Sequence, residues 1–189
     1  APCPTMSTTK SGIKICRVHV ENGEVTTVTV DMGKAELVPA KIPVDFPGDT
    51  AVKEKITVLD KEYEVTCVSM GNPHCVIFGK DPDTIDLEKI GPHFEHFEKF
   101  PERINTEFIE VLDNHTLKMR VWERGSGETL ACGTGSTAAL AVTARLGKCG
   151  DEADVILRGG TLHIAWDRTQ DLLYMTGPAA FVFDGTVTL

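Results

Sequence analysis

The 189-residue chain has no surplus of positive charge: 19 Lys and Arg stand against 28 Asp and Glu, a formal net charge of −9. It has no basic surplus to neutralise a run of phosphates, so neither nucleic acid nor an anionic membrane is an expected partner. A small anionic substrate stays open, because it needs only a local site. No apolar run approaches the ~20 residues of a membrane-spanning helix. No CxxC occurs among the six cysteines, Cys3, Cys16, Cys67, Cys75, Cys132 and Cys149. With 41% hydrophobic residues the chain can form a core without bridges. The thiols therefore read as mostly small core residues in a reducing compartment, the cytoplasm. The opening "APCPTMSTTK" has neither an initiator Met nor a secretory signal. Low-complexity segments and repeats of fixed period are also missing.

What is present reads as strands around one helix. "IKICRVHVENGEVTTVTVDMG" (13–33) alternates β-branched residues about Asn22-Gly23, a strong hairpin signal. "KITVLDKEYEVTCVSMGNPHCVIFG" (55–79) gives further strands, with turns at Asp60-Lys61 and Gly71-Asn72-Pro73. Residues 83–101 have helical spacing, which Gly91-Pro92 is expected to break into two short pieces. Hairpins are expected around Asp113-Asn114 and Gly159-Gly160, and two short strands about a Gly177-Pro178 break close the chain. A helix of about 135–146, stopped by Gly147, is apolar on nearly every face and must be buried. The expected fold is α+β, a curved, mostly antiparallel sheet wrapped around one central buried helix.

Cys132 stands just ahead of that helix, in "ERGSGETLACGTGSTAALAV" (123–142). Unpartnered N–H groups at a helix start bind carboxylates and phosphates, and glycine lets the backbone approach them. Thr134 or Ser136 can cap the helix or donate a hydroxyl. The helix dipole is worth up to ~2 kcal/mol, which lowers a thiol from ~8.5 to near ~7. A nearby Glu123 pushes it back. The result is a thiol suited to general acid–base work. Three other readings stay open: an inert buried thiol, a nucleophile with His74 as its base, and a metal ligand. His93 and His96, three apart beside Glu95 and Glu98, read as a solvated face. Asn72 and His74 flank a proline, and Asn105 opens a strand. Arg124, eight residues before Cys132, can grip a carboxylate through two N–H bonds.

These stretches resemble the diaminopimelate epimerase family. The signature segments are "VDMGKAELVPAKIPV", "VSMGNPHCVIF", "FPERINTEFIEV", "RVWERGSGETLACGTGSTAA", "GGTLHIAWD" and "YMTGPAAFVFDGTVTL". They run in family order from about Ser7 to the last residue. The resemblance implies two pseudo-symmetric lobes, no cofactor and no metal. It further implies that Cys132 is one of two thiols that exchange a proton with a substrate α-carbon. Glu123 and His74 would assist the thiols. Asn72, Asn105 and Arg124 would hold the distal amino-acid end, and Gly133 and Thr134 would meet the reacting carboxylate.

The family's Cys-Gly-Asn-Gly segment, which carries the partner thiol, is missing from the sequence. Residues 1–32 are therefore expected to be leftover strands of the first lobe and 33–179 the second lobe. Residues 180–189 are expected to be a strand returning toward the first. Open edges would pair with a second copy in a homodimer, and the chain alone would have little or no activity. Two alternatives accompany this reading: a proline-racemase-like enzyme on the same fold, and a non-catalytic lobe that only binds or dimerises.

Overall fold

The computed structural model describes residues 3–9 and 12–187. A meander opens the fold: β1 (Cys3–Thr9), β2 (Gly12–Glu21) and β3 (Glu24–Gly33). Asn22 (φ 53°) and Gly23 (φ 85°) turn β2 into β3, as expected for a tight two-residue loop. Next come β4 (Glu54–Val58), β5 (Lys61–Ser69), β6 (Pro73–Phe78) and the short helix α1 (Leu87–Glu95). After α1 lie β7 (Asn105–Asp113), β8 (Thr116–Glu123), β9 (Gly127–Thr129) and the long helix α2 (Gly133–Arg145). The last strands are β10 (Glu152–Leu157), β11 (Gly160–Asp167) and β12 (Leu172–Pro178).

The twelve strands of the described residues join one open sheet in the order β1-β2-β3-β12-β11-β10-β8-β7-β6-β5-β4, with β9 paired to β8 off that path. Every pairing is antiparallel except β6–β7 and β8–β10. The sheet curves around α2, whose residues Gly135 to Ala144 are all buried. The α+β expectation holds. Strand alternation sorts side chains to two cores. Val68, Val76, Ile109 and Val121 pack toward α2. Val65, Cys67, Cys75, Ile77, Phe108 and Trp122 pack on the opposite face with Phe94 of α1.

The structure departs from the sequence expectations at several places. Helix α2 starts two residues earlier than expected, because Gly133 and Thr134 already adopt helical geometry after the cap at Cys132. Its end agrees: Gly147 sits at φ 67°, and Lys148 N–H donates to Thr143 O at 2.9 Å while Gly147 N–H donates to Ala144 O at 3.1 Å. Gly91-Pro92 does not break α1. Packing overrides the helix-breaking tendency, since the Trp122 ring occupies the space over Gly91 and holds the helix to the sheet. Three hairpin turns slip by one residue, to Leu59-Asp60, Asn114-His115 and Arg158-Gly159. Alternation locates strands but leaves open which two residues close the loop. After β12, residues 179–187 form no strand. Phe181, Val182, Phe183 and Val187 are largely exposed there, so the strand expected over 180–189 does not form over 180–187, and residues 188–189 lie outside the described residues.

Candidate functional site

Cys132 is buried, 5% exposed, and its sulfur is the N-cap of α2. Sγ accepts from Gly135 N–H at 3.3 Å and lies 3.6 Å from Thr134 Oγ1. A side chain at Gly135 would meet Glu107 Oε1 at 2.8 Å and the sulfur at 3.1 Å, so only glycine lets the helix start sit this close to both. Gly133 is similarly confined by Met175 Sδ, 2.8 Å from an added Cβ. The first two helical N–H groups, of Gly133 and Thr134, have no intrahelical acceptor, and both residues are half-buried.

Behind the cap a chain of hydrogen bonds runs into the sheet. Asn72 Nδ2 donates to Thr134 Oγ1 at 3.3 Å, and Asn72 Oδ1 lies 3.0 Å from His74 Nε2. His74 Nδ1 lies 2.6 Å from Glu107 Oε1, and both side chains are fully buried. Glu107 Oε2 has no partner. Asn72 and Glu107 occupy both ring nitrogens of His74, so neither is free to take a proton from Cys132. His74 is thus not placed as the base of a Cys132 nucleophile.

The opposite wall comes from the end of β8. Glu123 shares the α2 face with Val121, two residues earlier, and its Oε1 accepts from Thr129 Oγ1 at 2.5 Å. Strand β9 brings Thr129 back beside β8 for that contact. Asn105 is buried and bridges two segments. Its Nδ2 donates to Pro73 O at 3.0 Å, and its Oδ1 accepts from Arg124 N–H at 2.8 Å. Arg124 Nη1 donates to Glu102 O at 3.0 Å, leaving the rest of the guanidinium unassigned. Backbone groups therefore engage both ends of the Asn105 amide, one N–H excepted. Asn105 ties the "GNPH" strand to the Glu123-Arg124 turn.

Electrostatics correct one expectation. The Cys132 thiol is not lowered toward neutrality but pushed up to about 12. Burial is the largest cause, the Glu107 charge the next, and Glu123 adds to it. The Thr134 hydroxyl and Gly135 N–H pull the other way without winning. The helix end alone omits the burial of the sulfur and, after it, the Glu107 carboxylate beneath the cap. Without substrate Cys132 is accordingly a thiol at neutral pH. Its alkylation, followed site by site by mass spectrometry, is expected to rise about tenfold per pH unit from 7 to 11. A plateau near pH 7–8 would contradict this.

The structure thus joins Asn72, His74, Thr134 and Cys132 through hydrogen bonds and places Glu123 within electrostatic reach of the sulfur. It links Asn105 to Arg124 on the neighbouring wall. Glu107 and Thr129 were not singled out from the sequence, and Glu95, expected on a solvated face with His93 and His96, is instead buried because it turns inward to Trp122. Glu107 falls on the α2 face by strand alternation from Ile109, a buried carboxylate hidden in an otherwise apolar pattern. His93 and His96 are exposed, and among the described residues no three His, Cys, Asp or Glu side chains cluster as metal ligands. No helix among the described residues is long and apolar enough to cross a membrane.

Comparison with known proteins follows the same residues. The family profile described as Diaminopimelate epimerase matches residues 66–182. A diaminopimelate epimerase of Acetivibrio thermocellus is 50% identical over 181 residues, covering 96% of this chain and 65% of that protein. One from Desulfovibrio desulfuricans is 50% identical over 183 residues, 94% of this chain and 64% of that protein. The chain thus spans just under two thirds of the length of these curated relatives. Among solved structures, a hydroxyproline epimerase of Agrobacterium vitis superposes with a TM-score of 0.71 at 13% identity, covering 94% of this chain and 56% of that one. A PhzF-family phenazine biosynthesis protein of Bacillus anthracis gives 0.62 at 19% identity, covering 98% and 69%. These two likenesses show the fold alone.

Proposed function

We propose, since the chain belongs to the diaminopimelate epimerase family, that it forms the Cys132-bearing part of a cofactor-independent amino-acid epimerase. The reaction is the interconversion of LL- and meso-diaminopimelate, a step toward lysine and peptidoglycan precursors in a reducing cytoplasm. The observation that carries the reading is the cap of α2, where the Cys132 sulfur sits next to two free backbone N–H donors.

The chemistry follows from that juxtaposition. An amino-acid α-proton is weakly acidic, and its removal leaves charge that spreads onto the carboxylate. With no electron-sink cofactor, fixed donors at a helix end must stabilise that charge, and the N–H groups of Gly133 and Thr134 are suitably free. Cys132, a thiol at rest, gives its proton to the α-carbon from one face. For the reverse direction it must take one, and the Thr134 hydroxyl and Gly135 N–H favour the thiolate it leaves. A second thiol on the other face, supplied outside this chain, completes the exchange. Glu123, braced by Thr129, and the His74–Glu107 pair set the polarity of the two walls. Arg124 and Asn72 hold the distal amino-acid end, and Asn105 keeps Arg124 in place. The edge strand β1 offers a place where a second copy adds to form a homodimer.

The decisive experiment follows solvent deuterium into diaminopimelate. The complete protein carrying this chain is expected to label and invert one α-carbon without added cofactor, and the 189-residue chain alone to show little or no exchange. Preferential exchange on proline would favour the racemase reading instead. No exchange on any amino acid would leave only a binding lobe.

A further inference from the structure

Glu95 lies at the end of α1, on the face of the sheet opposite α2, and takes no part in the chemistry above. It is buried, 4% exposed, yet both its oxygens accept hydrogen bonds. Oε2 takes the Trp122 indole N–H at 2.7 Å. Oε1 takes Gly125 N–H at 2.9 Å and Arg103 Nη1 at 3.1 Å. Burial alone would favour the protonated acid, but the bonds from Trp122 and Gly125 and the nearby His96 and Arg103 charges outweigh it and keep the carboxyl below its ordinary range.

The local sequence builds this arrangement. Gly91 and Glu95 share one face of α1, a turn apart. A Cβ at Gly91 would sit 2.2 Å from Trp122 Cδ2, so the missing side chain is the slot for the ring, and the carboxylate one turn on meets the indole N–H. Gly125, at φ 78°, follows Arg124 directly, and Arg103, at φ 60°, follows Glu102. Arg124 contacts both segments: it is the residue before Gly125, and its Nη1 donates to Glu102 O. One carboxylate thereby contacts both the turn that carries Arg124 and the loop whose Glu102 carbonyl takes its guanidinium.

We propose that Glu95 is a positioning residue for Arg124, fixing the 123–126 turn and the 102–103 loop from the far face of the sheet. The inference rests on the reading of Arg124 as a substrate clamp. Its test separates the two. The requirement is for an acceptor at both ends, which glutamate meets and glutamine cannot. In Glu95→Gln the amide nitrogen must face either the indole N–H or the Gly125 and Arg103 donors, and one side opens.

Hydrogen exchange on the substrate-free complete protein is expected to show the Gly125 amide or the Trp122 indole N–H exchanging at least about tenfold faster in Glu95→Gln. The KM for diaminopimelate should rise about tenfold with kcat changed less than about twofold, because Cys132 is untouched and Thr129 still braces Glu123. Removing the competing donor restores the fit: Glu95→Gln with Trp122→Phe should recover Gly125 protection and most of KM. Glu95→Ala with Trp122→Phe, which lacks any acceptor, should not. This pair decides the matter even where Glu95→Gln alone does not fold. Unchanged exchange at both sites, equal KM in the two double variants, or lost protection with unaltered KM would each overturn the proposal. A wild-type protein that fails to turn over diaminopimelate would overturn the functional reading, while the exchange data still decide the latch.

Discussion

Cys132→Ser is expected to cut solvent-deuterium exchange into diaminopimelate about 10²–10⁴-fold, the span that general acid–base groups supply. The substitution is chosen because it separates chemistry from structure. The sulfur accepts Gly135 N–H as the cap of α2, and serine is among the preferred residues at that position. Its hydroxyl can make the same bond, so the unfolding midpoint in urea should stay near wild type. A hydroxyl gives up its proton far less readily than a thiol, so the proton carrier is lost while the helix stays capped. Wild-type exchange in this variant would remove Cys132 from the reaction. Lost exchange with a collapsed midpoint would assign the sulfur a structural role instead.

His74→Leu should carry the largest stability loss, about 3–5 kcal/mol by urea denaturation of the complete protein. The imidazole is the hydrogen-bond partner of Glu107, whose second oxygen already lacks a donor. Removing the ring leaves a carboxyl group stranded beneath the start of α2 with nothing to offset its burial. The double variant His74→Leu with Glu107→Leu should regain most of the loss, since two apolar side chains fill the α2 face of β6 and β7 without buried charge. Equal losses in the single and double variants would mean that packing, not the pair, sets the stability there.

The sequence made the helix, its stop and the hairpins legible because each rests on local chemistry. Alanine and leucine on all faces of 138–146 can only be buried, Gly147 supplies a left-handed residue, and Asn22-Gly23 supplies two. Asn72, Asn105, Glu123 and Arg124 were identifiable as residue types at strand ends. Their partners were not, because bonds such as Asn105 to Pro73 O depend on the parallel register of β6 and β7, which no short pattern encodes. The sulfur's proton affinity was misjudged because burial raises it most and Glu107, 25 positions upstream, raises it next, and neither can be read from the local stretch. Gly91-Pro92 misled because a helix breaker was weighed without the indole that pins it.

The cap of α2 has one more consequence. The positive end of a helix is a finite resource, about half an elementary charge. A docked carboxylate and an ionised Cys132 would draw on the same tip. Occupancy and deprotonation therefore oppose each other, and by reciprocity each bound ligand tightens the sulfur's hold on its proton. Such a site admits its guest while loaded, which would couple the hand of the isomer it accepts to which of the two thiols last gave its proton away.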